Sequence, residues 1–472
     1  MRRGYRRLNV SPHPVVQVAV IDRNNWTFGG EEMVKHLREV LERSALDNHV
    51  PGAQLVLWRD GEVREFEFGE ERHGSGRAVG RDSKVPIGSI TKTFTATLLM
   101  VLVSDGDVDL DEPVVQYLPE LRQALGGNAD VLTARHLLSH TGGLPSEVVA
   151  PPDGRVALAA SVQDVVQPPG AGFSYSNTGY ALIGRLIEVA TGMTWAEAVR
   201  TILLKPLGID LGFLAEQGSA ATASGHTVNH ALRLVRPVEQ ELAPVEAPAG
   251  GLAASAADLV ELAKMHLDPR HGGIDPGLVT PEHLAEMCRP VPGAEPFGLA
   301  DGWGLGLALF RGHGTGWLGH DGTADGTSCH LRLNPGTGTV VALTANSSTG
   351  AALWRDLLPE LRAVGIDLTE DEATIDAEPS ASIPRECTGT YVNGDTAFSV
   401  VVEGDELHLV VDDEPAARLA VHDGFVFSVT DLANGAAGRP GRFLRDPRSG
   451  RIDRIQIGGR VAGRRHRERD VA

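Results

Sequence analysis

Strand-forming sequence lies at the two ends of the first 365 residues, and helix-forming sequence fills the middle. The run at 52–58 (Gly52, Ala53, Gln54, Leu55, Val56, Leu57, Trp58) leads into Asp60-Gly61, a pair suited to a tight turn. The return at 63–68 alternates Glu65 and Glu67 with Phe66 and Phe68, as a half-buried strand does. Strand patterns then recur late, at 304–310, 327–333 and 339–346. Between them, helical spacing covers 89–102, stopped by Asp105-Gly106, then 177–190, closed by Thr191-Gly192, then 256–267. Further helices fit 31–46 and 350–364. Early and late strands of this kind predict one sheet whose halves are separated by a helical insert, an α/β (α+β) architecture.

The 472-residue chain exceeds one ordinary domain. Residues 1–28 read as an irregular tail, 29–368 as the main domain and 369–384, acidic and Pro/Ser-containing, as a linker. Beyond it, short strands at 398–402, 406–411, 424–429 and 451–457, separated by turn residues, predict a small all-β domain over 385–465, a barrel or sandwich. Residues 466–472 form a basic tail, and Arg460, Arg464, Arg465, Arg467 and Arg469 read together as a solvated chain end. The net charge of −19 argues against nucleic acid or anionic membranes as partners. Cys288, Cys329 and Cys387 are too scattered for a disulfide framework or a zinc site. No apolar run follows the basic residues at the start, and none reaches the roughly 18 residues that spanning needs, so a cytoplasmic protein with no membrane anchor is expected.

Lysine is scarce, and only Lys92 stands three residues after a serine, Ser89. On a helix this spacing puts both side chains on one face, so the amine reaches the hydroxyl. A serine needs a neighbouring base to become nucleophilic, and a lysine serves when burial or nearby positive charge lowers its pKa. Alone, the pattern also fits a surface lysine after a helix cap. Tyr175 and Asn177 stand two apart just before a helix; a phenol beside a cation can pass a proton, and an Asn amide can orient a substrate. Alone, they fit a loop tyrosine with Asn177 as an N-cap. The same pattern at Tyr391-Val392-Asn393 lies beyond the linker and is discounted. His320-Asp321-Gly322-Thr323 precedes a strand, whose edge offers a backbone N–H as the second half of an oxyanion hole, the first being that of Ser89. In this order and separation, the three elements predict a catalytic site.

With those motifs the chain resembles the class C β-lactamase and low-molecular-weight penicillin-binding-protein family, which includes esterases, D-amino-acid amidases, acyltransferases and peptide-cyclising thioesterases. The resemblance spans about residues 30–365 and includes Asp105–Val114, Tyr117-Leu118-Pro119-Glu120, Thr133–Pro145 with its His140-Thr141-Gly142-Gly143-Leu144 run, and Gly250–Leu259. It implies a β-lactamase/transpeptidase-like fold: an antiparallel sheet flanked by helices, an all-helical insert, and here a small lipocalin-like barrel or sandwich behind it. It further implies Ser89 as acylated nucleophile, Lys92 as its base partner, Tyr175 as general acid/base and Asn177 as a substrate-amide contact. The N–H groups of Ser89 and Thr323 become oxyanion donors, with His320 and Gly322 beside them. His136 and His140 fall in stretches that the family uses structurally.

Family members that act on β-lactams usually carry Lys-Thr-Gly where this chain has His320-Asp321-Gly322, and the Lys attracts a substrate carboxylate. A neutral His beside a carboxylate is a poorer anion clamp, so efficient β-lactam hydrolysis is not expected. The expected activity is hydrolysis or transfer of an acyl group from a small-molecule or peptidyl ester, or from an amide or thioester at a D-residue, with water, an amine or an alcohol as acceptor. A peptide cyclase or transacylase of secondary metabolism is the alternative, and a silent binding module is the reading of another class. No cofactor and no metal are expected: the His-x-x-x-His pairs His136/His140 and His226/His230 lack the Glu of a zinc protease. The stretches 148–169 and 226–248 are expected to wall the pocket, with Arg233 and Arg236 as potential carboxylate contacts.

Overall fold

The computed structural model describes residues 30–148, 154–163, 165–216, 222–230, 232–310, 316–368, 384–432 and 435–465. The expected tails 1–28 and 466–472, and the expected linker except Pro384, lie outside the described residues.

The early hairpin, β1 (Gly52–Arg59) and β2 (Glu62–Gly69), joins the late strands β3 (Gly302–Trp303), β4 (Ala308–Phe310), β5 (Trp317–Ala324), β6 (Thr327–Asn334) and β7 (Thr339–Ala345) in one sheet. Its order is β2-β1-β7-β6-β5-β4-β3, with every neighbouring pair antiparallel. The two ends of the domain meet at β1 and β7, where Ala53 pairs with Ala345 and Arg59 with Thr339.

Both faces of the sheet are covered, which is why its central strands β1 and β7 read as near-continuous apolar runs. Leu55, Leu57, Val341 and Leu343 point to a core shared with helices α1 (Glu31–Asp47) and α6 (Gly350–Ala363). Val56, Val340, Ala342 and Leu331 point the other way, to a core shared with α2 (Thr91–Asp105), α4 (Asn177–Thr191) and α5 (Ala256–Ala263). The short helix α3 (Ala134–Leu138) lies in the insert.

The expected strand at 304–310 is broken. Gly306 has φ +80°, and a Cβ there would lie 2.3 Å from Ala96 Cβ, so the chain leaves the sheet to pack on α2. Helix α2 is buried along Thr91–Leu102. Its threonine hydroxyls are satisfied internally: Thr93 donates to Gly306 O and Thr95 to Pro248 O.

The C-terminal part closes as an eight-stranded antiparallel barrel: β8 (Gly389–Asn393), β9 (Thr396–Glu403), β10 (Glu406–Val411), β11 (Glu414–Val421), β12 (Val426–Asp431), β13 (Ala437–Arg445), β14 (Ile452–Ile457) and β15 (Arg460–Arg464). Closure comes from Tyr391 pairing with Arg464 and Val392 with Gly463, which removes every exposed sheet edge. Tyr391, Val400, Leu409, Phe427, Phe443 and Ile455 fill the interior.

Two arginines expected in a solvated end are instead held. Arg464 donates to the backbone carbonyls of Glu386 and Ile452, and Arg460 reaches the main domain, 3.2 Å from Glu147. Among the described residues, no helix is long and apolar enough to cross a membrane.

Candidate functional site

Ser89 sits in a 3₁₀ turn, Gly88–Ile90, that runs straight into α2. The turn is pressed against β5 by two glycines. A Cβ on Gly322 would lie 1.9 Å from Ile87 O; Gly88, at φ +48°, would put one 2.1 Å from Thr323 O. Because β4 pairs with β5 only as far as Gly319, the rest of that edge is free to face the Ser89 turn. Ser89 and Thr323 thereby meet in one cleft of about 340 Å³, which Asn177 also lines.

One turn along α2, Lys92 Nζ donates to Ser89 Oγ at 3.1 Å and to Ala249 O at 2.7 Å. Its ammonium lies 5.1 Å from the ring centre of Tyr175 and 5.5 Å from that of Tyr180. Lys92 is wholly buried, and burial lowers its pKa to about 7, with Glu147 pulling it up and Arg460 pushing it down. Burial holds the Tyr175 phenol well above the ordinary range, with the nearby Ser89 acting in the lowering sense, so it is protonated at neutral pH.

Asn177 is the first residue of α4, and the N-cap is Ser176, whose hydroxyl accepts from Gly179 N at 3.1 Å. The reading of Asn177 as a plain cap is therefore corrected: its side chain donates to Glu147 Oε2 at 2.7 Å, and its buried Oδ1 has no hydrogen-bond partner. His320 is buried on β5. Its Nδ1 donates to Asp321 O at 2.5 Å, and burial with Lys92 nearby lowers its pKa to about 4, so the ring is neutral. The neighbouring carboxylate looks away from the cleft: Asp321 Oδ1 is 2.8 Å from both His330 Nδ1 and Arg332 Nη1, which with His330 holds its carboxyl well below the usual range.

The structure thus gathers Ser89, Lys92, Tyr175, Asn177, His320, Gly322 and Thr323 around one point. Three neighbours were not singled out as site residues by the motifs. Glu147 bridges Asn177 and the barrel's Arg460, and Arg460 lies 5.4 Å from the Tyr175 ring. His140 stacks on that ring from another side, with centroids 4.2 Å apart. Glu147 and Arg460 sit on no motif; His140 was visible in its run but carried no chemical reason for being there.

Of the expected walls, the stretch 226–248 supplies Gln240, Glu241, Leu242 and Glu246. The described part of 148–169 supplies none of the lining. Arg233 and Arg236 are exposed on a separate hairpin, Gly225–Asn229 with Leu234–Val238, and do not line the cleft. Glu241, Glu246 and Asp325 make the wall acidic instead. Among the described residues no group of three His, Cys, Asp or Glu side chains is placed to hold a metal ion. The two His-x-x-x-His pairs have other work: His136 Nδ1 pairs with Thr133 in a capping box, and His226 bonds His73 N and Asn346 O.

The chain was compared with known proteins. It is 34% identical over 371 residues to penicillin-binding protein 4 of Amycolatopsis lactamdurans, covering 75% of this chain and 97% of that one. A solved structure of SurE with D-Leu superposes with a TM-score of 0.78 at 37% identity, covering 92% of this chain and all of the other (100%), barrel included. A D-stereospecific amidohydrolase from Streptomyces sp. gives a TM-score of 0.57 at 26% identity, over 68% of this chain and 97% of that chain. The profile of the family described as Beta-lactamase matches residues 31–365, from the start of α1 to just past α6. By that match and by its antiparallel sheet with a helical insert, the chain belongs to the β-lactamase family.

Proposed function

We propose that the protein is a serine acyl-transfer enzyme that forms an acyl-Ser89 intermediate from an ester, thioester or amide whose acyl group is a D-residue. The observation that carries this is the 3.1 Å contact between Lys92 Nζ and Ser89 Oγ, made by an amine whose pKa burial brings to about 7. Near neutral pH a large share of Lys92 is the free amine, able to take the Ser89 proton as Oγ attacks the substrate carbonyl. Tyr175 keeps its proton under the same conditions, so it is not the base. It donates to the leaving group and is reprotonated by the Lys92 ammonium, which returns both to their starting protonation while Ser89 stays acylated until water or an amine takes the acyl group. The N–H groups of Ser89 and Thr323 stabilise the oxyanion. Asn177 Oδ1, an acceptor with no partner of its own, takes the amide N–H of the acyl residue.

The D-configuration is supported by the relatives: D-Leu is bound in the SurE structure, and the amidohydrolase from Streptomyces is D-stereospecific. A neutral His320 and an acidic cleft wall disfavour the carboxylate of a β-lactam. Transfer to an amine, including a peptide's own terminus, is the second reading. It is favoured by the barrel, which sets Arg460 and the Gly459 carbonyl beside Tyr175 and is shared with the SurE structure.

The test is intact-protein mass spectrometry of wild type and Ser89→Ala after brief exposure to an activated ester, a β-lactam or a D-residue peptidyl thioester. The thioester and ester should add an acyl mass to wild type alone, and the β-lactam should label slowly if at all. Release of the adduct by an added amine rather than water would favour transfer. An adduct that persists in Ser89→Ala would remove Ser89 from its role.

A further inference from the structure

We propose that His140 is a positioning residue that fixes Tyr175 for proton transfer, an inference that rests on the role given to Tyr175 above. In the segment Ser174-Tyr175-Ser176, whose last residue is extended at φ −141° and ψ 119°, the N–H groups of Ser174 and Ser176 find different partners from that of Tyr175. The first two go to a single residue: Ser174 N donates to His140 O at 2.8 Å, and Ser176 N donates to His140 Nδ1 at 3.1 Å. Between them, Tyr175 N donates to Gly459 O of the barrel at 2.9 Å. The His140 ring also lies against the Tyr175 ring, with centroids 4.2 Å apart and planes tilted by 30°. One residue therefore grips the chain before and after Tyr175 and supports its face as well.

The grip needs a special backbone. His140 follows α3 at φ +56°, a left-handed conformation unusual outside glycine but tolerated by His and Asn. That turn is what lets the carbonyl and the side chain of one residue reach two N–H groups of the same segment. Packing fixes the ring further: Tyr180, Trp303 and Phe173 lie with ring centres 5.2, 5.2 and 5.5 Å away. The imidazole is also neutral, held there by burial and by the Lys92 charge, so Nδ1 remains an acceptor. A protonated ring would lose the bond to Ser176 and add a charge beside the amine that must give up its own. Tyr175 lies beside Ser89 and the Lys92 amine, so an error of an ångström in the segment would separate the relay from the nucleophile.

The experiment measures single-turnover acylation of Ser89 by the activated ester in four proteins: Tyr175→Phe, His140→Phe, His140→Asn and the double variant His140→Phe/Tyr175→Phe. His140→Phe keeps a ring but removes the acceptor; it should lower the acylation rate constant roughly 100-fold with little change in apparent substrate affinity. His140→Asn keeps an acceptor near the Nδ1 position and tolerates the left-handed backbone, and should recover at least about tenfold of that loss. In the Tyr175→Phe background, His140→Phe should cost nothing further, because the group it positions is gone. Independent, multiplying losses in the double variant, or equal losses in the Asn and Phe variants, would overturn the proposal while leaving Tyr175 its role. Full acylation by Tyr175→Phe would instead sink the underlying reading, and this inference with it. Should His140→Phe not fold, His140→Asn decides alone, combined with Tyr175→Phe in the same cycle.

Discussion

Lys92 is wholly buried, and in the proposed reaction its environment sets the pH at which acylation can run. Desolvation is the largest influence on its amine, and two charges acting on it oppose one another: Glu147 raises the pKa and Arg460 lowers it. If the neutral amine is the base, acylation must climb as pH passes about 7 and then level off, because the protonated form cannot accept from Ser89. Arg460→Gln removes the lowering influence, so the rising limb should move to higher pH. Glu147→Gln removes the raising influence, so it should move to lower pH. Acylation rates of both variants between about pH 5 and 9 check this, with displacements of up to about one pH unit. Displacement of both limbs in one direction would mean that the pair acts through position and not charge. Ser89 and Lys92 are legible because reach along one helix face dictates their spacing, whereas Tyr175 is legible only through its pairing with Asn177 and the family resemblance. No spacing rule ties Arg460 to Lys92, since a barrel strand brings them together, and the sequence alone made that arginine part of a loose chain end.

At the level of elements, the site depends on how closely strand β5 approaches the Ser89 turn. Gly322 is the contact point: any side chain there meets the Ile87 carbonyl, a backbone atom that cannot turn aside. Gly322→Ala should push β5 outward and carry the Thr323 N–H away from the oxyanion position. A loss of roughly 100-fold in acylation is expected, the effect of removing one oxyanion donor, with about 1–3 kcal/mol of destabilisation from overpacking. Single-turnover rates and thermal melts together test it. A melt lowered as expected with acylation intact would show that Thr323 does not serve the oxyanion. The same scale explains what was legible. The helices and most sheet strands follow periodicities that burial imposes, and their bounds lie close to expectation. Strand β5 does not, since His320–Thr323, expected just before a strand, lie within one, its Gly, His and Asp giving no strand pattern. The break at Gly306 was hidden, because only the proximity of Ala96 makes it necessary. In the barrel, Gly389–Asn393 was not expected as a strand, and neither were three others, Glu414–Val421, Ala437–Arg445 and Arg460–Arg464. Gly, Pro, Ala and Arg dominate these last three, and pairing within a closed barrel overrides their weak strand preference.

For the molecule as a whole, the question is what holds the barrel against the Tyr175 segment. Among the described residues, two ion pairs cross the junction, Arg460 to Glu147 at 3.2 Å and Arg439 to Asp321 at 3.5 Å. The arginines are 37% and 49% exposed, so each pair contributes roughly 0–1 kcal/mol and is screened by salt. Buried hydrogen bonds are the stronger tie. Val461 N donates to Ser174 Oγ at 3.1 Å, and Gln456 Nε2 to Phe173 O at 3.2 Å. Asn393, buried on β8, accepts from Ser146 N and donates to Val461 O, each at 2.7 Å. It thus ties the main domain to the barrel strand that carries Arg460. Its place in a Tyr-x-Asn pattern is coincidental to catalysis, yet the residue is structurally central. Removing its amide strands a buried N–H and a buried carbonyl, at about 1–3 kcal/mol each, more than either ion pair provides. Asn393→Ala should therefore loosen the junction where high salt does not. Amide exchange at Ser174–Ser176 should quicken in the variant, and Ser89 acylation should slow with it, since the Gly459 carbonyl no longer steadies Tyr175. Wild type in high salt should keep both its protection and its rate. If salt alone reproduced the variant, the junction would be electrostatic, and the barrel would act on the site through Arg460 more than through its buried bonds.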